Sequence, residues 1–116
     1  MKRVYIAGAY NADNVVSVLD NMRRGMRAAT EVLLKGYAPF VPWFDYHFNL
    51  MLREGEELDL NDYYKYSITW LGVCDAVLVV PNSEFSNGTK SEIEYAKRKA
   101  IPVFYSLLDL IGGLER

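Results

Sequence analysis

The stretch Asp75-Ala76-Val77-Leu78-Val79-Val80 constrains the fold more than any other part of the chain. After Asp75 it is apolar without interruption, and Pro81-Asn82 closes it. A strand with one wet face alternates apolar and polar residues, so a strand without alternation must be covered on both faces. Lys2–Ala7, ending at Gly8, and Tyr37–Val41, stopped by Pro42, are short runs of similar kind, and Pro102–Tyr105 supplies a fourth. Helical patterns lie between them. From Val15, the positions Val15, Val18, Leu19, Met22, Met26, Ala29 and Leu33 follow steps of three and four, and Gly36 just beyond Lys35 is a terminator. Leu60–Val73 predicts a helix with Tyr64, Ile68 and Leu71 on one side. Gly88–Ala100 predicts another, with Ile93, Ala96 and Ala100 inward, and the tail from Leu107 a short one. Trp43–Leu52 is aromatic and compatible with a helix, Gly55-Glu56-Glu57 interrupts it, and a fifth strand has room within residues 43–60.

Buried strands alternating with helices predict an α/β fold. The expected architecture is a flavodoxin- or Rossmann-like three-layer sandwich with a parallel sheet of four to five strands, in order 2-1-3-4 or 2-1-3-4-5. With 116 residues and 51% apolar content, residues 1–116 are expected to form one domain around one core.

Composition excludes several classes of function. Thirteen basic residues face fifteen acidic ones, a net charge of -2, which gives no footprint for a nucleic acid polymer. The basic run Lys97-Arg98-Lys99 closes a predicted helix, where cations suit the macrodipole. A single cysteine, Cys74, rules out an intramolecular disulfide and reads as a small core residue. With no secretory leader pattern, this fits a cytoplasmic setting. The one histidine, His47, has no partner at ligand spacing, so neither a metal nor another cofactor is expected. No apolar stretch suggests a membrane partner.

In a sheet of this order, ligands bind outside the carboxyl ends of strands 1 and 3, where the strand order reverses. Strand 1 leads into Gly8-Ala9-Tyr10-Asn11, and strand 3 leads to Ser86-Asn87-Gly88-Thr89 before a helix. Ser86, Asn87, Gly88 and Thr89 bring hydroxyls and helix-start amides to the crevice, which suits an anion, although Ser86 or Thr89 equally suits a plain helix cap. Glu92 fits two descriptions: the partner of Thr89 in a capping box, or a carboxylate aimed at a ligand. Trp43, Phe44 and His47 follow strand 2, whose end borders the crevice. Trp43 is a candidate aromatic wall and Asp45 a candidate reader of base edges, with subunit packing as the competing role.

Three segments resemble the nucleoside 2-deoxyribosyltransferase superfamily: Val4-Tyr5-Ile6-Ala7-Gly8-Ala9-Tyr10, Cys74 to Val80, and Ser86-x-Gly88-x-x-x-Glu92-x-x-x-Ala96. The likeness is closer to its short members, the 2'-deoxynucleoside 5'-phosphate N-hydrolases. The resemblance implies that Glu92 is a nucleophile, ionised at neutral pH, which attacks the anomeric carbon and leaves a glycosyl-enzyme. It implies that Tyr5 holds Glu92, and that Ser86 receives a 5'-phosphate where the transferases carry an aspartate for a free hydroxyl. Gly8 and Tyr10 complete the expected substrate-binding set.

The chain departs from that pattern twice. Ser67 stands where family members carry an aspartate that assists departure of the base, and the first loop lacks the arginine of the hydrolases. These departures favour a silent module, whereas the intact Ser86, Gly88 and Glu92 set favours an enzyme, and the expected function is an N-glycosidase acting on a (deoxy)nucleoside 5'-monophosphate. The alternatives are a 2-deoxyribosyltransferase, or a catalytically silent nucleotide-binding module of the same fold. High aromatic content, with nine tyrosines, and the resemblance together point to a homodimer.

Overall fold

The computed structural model describes residues 1–83 and 85–115. A four-stranded, all-parallel sheet runs in the order β2-β1-β3-β4, with β1 Arg3–Ala7, β2 Ala38–Phe40, β3 Ala76–Val79 and β4 Val103–Phe104. Helices α1 Val15–Leu34, α2 Tyr46–Leu50, α3 Leu60–Leu71, α4 Asn87–Arg98 and α5 Leu107–Leu114 connect or follow them. Where a fifth strand had room, the chain makes a 3₁₀ turn at Pro42–Asp45 and then α2. Pro42 supplies no amide to a ladder and fixes φ for a helical start, which explains the turn.

The strands alternate between two cores. Val4, Ile6, Ala76, Leu78 and Val80 pack with Ala29 and Val32 of α1 and Leu110 and Leu114 of α5. Tyr5, Ala7, Val77 and Val79 pack with Leu71 of α3 and Ile93 and Ala96 of α4. Every residue of β3 is buried, as a strand covered on both faces requires. Asp75 ties the central strands at their entry, its Oδ2 accepting from the Arg3 amide at 2.7 Å. Cys74 packs in the second core, and burial pushes its thiol up to about 11.

Three local expectations change. Val15, Leu19 and Leu33 are exposed, and the buried line of α1 is Gly25, Ala29 and Val32. The Trp43 ring lies directly over Gly25, so α1 presents its smallest residue where the largest side chain from the 3₁₀ turn must fit. Ala100 lies beyond the end of α4 with φ 57 and is exposed, taking the left-handed turn that ends the helix. The cap of α4 is Ser86, whose hydroxyl accepts from the Thr89 amide; Thr89 and Glu92 form no capping box.

Candidate functional site

The loops after β1 and β3 meet because β1 and β3 are neighbours whose onward helices cross opposite faces of the sheet. The amide of Val80 donates to Ala7 O at 2.8 Å, and the amide of Ala9 donates to Ser83 Oγ at 2.9 Å, lacing the two loops together. Gly8 is required by this approach, because a Cβ there would stand 3.0 Å from Val80 Cγ2. A cleft of about 890 Å³ opens above the laced loops.

Glu92 sits at the cleft floor, on the second turn of α4, and is only 8% exposed. The Tyr5 hydroxyl donates a hydrogen bond to Glu92 Oε2. Burial pushes the Glu92 carboxyl from 4.5 up to about 7; the Tyr5 hydrogen bond opposes the rise and the charge of Asp45 adds to it. Burial thus works against the ionised form of Glu92 that the sequence leads one to expect. Tyr5 is held well above the ordinary phenol range, first by burial and then by Glu92, so it remains a donor. The hydroxyl of buried Ser67 faces Tyr5 and favours its ionised form, which places Ser67 beside the pair. A carboxyl that titrates near neutrality, clamped by a phenol at the bottom of a cleft, is equipped for nucleophilic attack or proton transfer.

Gly8, Tyr10, Trp43, Asp45, Ser67, Ser86, Asn87, Gly88 and Glu92 all line this cleft. Thr89 does not; it is 1% exposed, its amide reaches Ser86 Oγ at 3.5 Å, and its Oγ1 has no partner among the described residues. Asp45 is half-buried, caps no helix with its side chain, and has its carboxyl raised by burial. Its charge reaches Tyr10, Tyr63 and Glu92, so these groups share one basin. His47 is exposed and packs beside Phe44 and Tyr46 instead. Among the described residues no cluster of His, Cys, Asp and Glu could hold a metal ion, and no helix is long and apolar enough to cross a membrane.

The far wall was not anticipated from the sequence: Tyr46, Asn49, Leu58, Asp59, Tyr63 and Tyr64 also line the cleft. The signal for part of it was present. Asp59 and Asp62 form a reciprocal capping box that fixes the start of α3, and Tyr63 and Tyr64 then lie one turn before Ser67 on the same side. Ser83, which joins the two loops, carries no such signal, because its partner is 74 residues away.

No curated protein matches the chain in sequence. Among solved structures, a 2-deoxyribosyltransferase from Bacillus psychrosaccharolyticus is similar with a TM-score of 0.64 at 14% identity, over 87% of this chain and 69% of that one. A 2-desoxiribosyltransferase from Leishmania mexicana is similar with a TM-score of 0.60 at 18% identity, over 89% of this chain and 62% of that one. The fold is thus the α/β fold of those transferases. At the level of sequence, the family described as a domain of unknown function, DUF7768, matches residues 2–106, and the chain belongs to that family.

Proposed function

We propose that this chain breaks the base–sugar bond of a (deoxy)nucleoside or its 5'-monophosphate, with Glu92 as the nucleophile. The observation that carries the reading is the Tyr5–Glu92 pair at the cleft floor. A carboxyl buried this deeply costs stability, and among the described residues Glu92 neither caps a helix nor pairs with a cation that would offset the cost. That cost favours an enzyme over a silent nucleotide-binding module. In the proposed cycle, Glu92 attacks the anomeric carbon as the C–N bond breaks, giving a glycosyl ester. Water or a second base then displaces the carboxylate and frees the sugar. Tyr5 orients Glu92 and stabilises its charged form. Gly8, Tyr10, Asn87 and Gly88 contact the sugar, while Trp43 and Asp45 contact the base.

Two observations bear on the 5' end of the sugar. The opening amides of α4 suit a phosphate, which favours a 5'-monophosphate and water as the acceptor. Against this, no Lys, Arg or His lines the cleft among the described residues, and this favours a free 5'-hydroxyl, with transfer to a second base. The exposed aromatic residues Phe44, Tyr46, Phe48 and Tyr64 beside the cleft support a homodimer closing over it. The proposed enzyme works in the cytoplasm on a small nucleoside or nucleotide and uses no cofactor. The test is incubation of the protein with a panel of deoxynucleosides and their 5'-monophosphates, with and without an added free base. Chromatography follows base release and base exchange. Glu92→Gln should abolish both; base release at the wild-type rate by a folded Gln variant would remove Glu92 from the mechanism.

A further inference from the structure

The cleft's charges and the hydroxyl that stands beside the Tyr5–Glu92 pair bear on which base it releases, an inference that rests on the reading of Glu92 as nucleophile. A neutral base leaves a sugar as an anion unless an acid protonates it. The group beside the Tyr5–Glu92 pair is the hydroxyl of Ser67, which cannot serve as an acid near neutral pH. At the same time the described lining holds three carboxyl groups, Asp45, Asp59 and Glu92, and no cation. Asp59 is occupied at the cap of α3, but Asp45 makes no side-chain cap and stands over the basin shared with Tyr10, Tyr63 and Glu92. Aromatic faces such as Tyr10 and Tyr63 next to the Asp45 carboxylate, which has no cation partner among the described residues, form a seat for a flat organic cation.

We infer that the substrates are N-glycosides whose base is already cationic at the glycosidic nitrogen or in its ring, such as a pyridinium or ring-alkylated purine. For a pyridinium glycoside the chemistry balances without an acid. Glu92 Oε forms a bond to the anomeric carbon while the C–N bond breaks, and its electron pair goes to the nitrogen, so the base leaves neutral. Water then attacks the anomeric carbon, the ester C–O bond breaks, the carboxylate is restored, and the proton from water passes to solvent. The cation also draws Glu92 towards its ionised form as it binds, which is the form that attacks.

The test compares the 2'-deoxyriboside of nicotinamide, permanently cationic, with neutral 2'-deoxyadenosine and thymidine, the enzyme-free rate being subtracted from each. The expected result is a kcat/KM for the pyridinium glycoside larger by about a hundredfold, comparable to the general-acid assistance the neutral substrates lack. Asp45→Asn should cut that preference about threefold to fivefold through KM, and Ser67→Asp should raise turnover of the neutral nucleosides selectively, by about 10²–10⁴-fold. Neutral nucleosides cleaved as well as the cation, with a rate that collapses in Asp45→Asn, would overturn the inference and make Asp45 the proton donor, with Glu92 still the nucleophile. Absence of cleavage of every substrate, or cleavage that survives Glu92→Gln, would overturn the underlying reading and the inference with it.

Discussion

Replacing Glu92 by Gln should stabilise the protein at alkaline pH and leave its stability nearly unchanged at acid pH. The carboxyl is 8% exposed, and its value rises from 4.5 to about 7 on folding. A group whose folded value lies above its unfolded value binds protons more tightly in the folded state. Its contribution is therefore intact below pH 4.5, declines between pH 4.5 and 7, and is fully lost above about 7, where folding must bury a charge. The shift corresponds to about 3 kcal/mol. Gln keeps the shape and accepts the Tyr5 hydroxyl but carries no charge to desolvate. At the entropy of unfolding usual for a chain of this size, about 3 kcal/mol is a Tm difference of about 10 °C. Thermal melts of both proteins followed by circular dichroism from pH 4.5 to 9 measure this difference directly, and titrations common to both cancel. The variant should melt close to wild type at pH 4.5 and about 10 °C higher at pH 8.5. A difference independent of pH, or a wild type that gains on the variant above pH 7, would refute the idea that desolvation dominates at Glu92.

Tyr5→Phe keeps the ring stacked on Phe40 but removes the hydrogen bond that lowers the Glu92 carboxyl, so the acid limb of the pH–rate profile should move up by about one pH unit, as rates from pH 5 to 9 would reveal. Gly25→Ala should cost about 1–3 kcal/mol and push the Trp43 ring off α1, read as a lower denaturation midpoint with altered tryptophan fluorescence, because a Cβ at Gly25 meets that ring with no space to spare. Cys74, buried with its thiol at about 11, should react with a thiol-directed disulfide reagent at pH 8 far more slowly in the native protein than in guanidinium chloride.

The sequence alone determined the sheet and the Tyr5–Gly8, Ser86–Glu92 frame, because these depend on local physics. An unbroken apolar run such as Ala76–Val80 has no stable place except under two layers, and the helical periodicities between the runs leave few topologies. The strand order then carries the loop at Gly8 to the loop at Ser86 whatever the side chains elsewhere are doing. What the tertiary structure decided concerns groups whose partners are remote in the chain. Whether Glu92 capped its own helix or turned inward depended on Tyr5, which donates to it from 87 residues away. Its departure from ordinary carboxylate acidity depended on how much water the two cores exclude, a property of packing that no spacing encodes. The inward face of α1 was set by one ring from the 3₁₀ turn seated on Gly25, overriding the periodicity of its larger apolar residues. The acidic, tyrosine-rich far wall, finally, exists because the 3₁₀ turn packs against β1 and α3 against α4, bringing Asp45, Tyr63 and Glu92 around one space that the linear order keeps far apart.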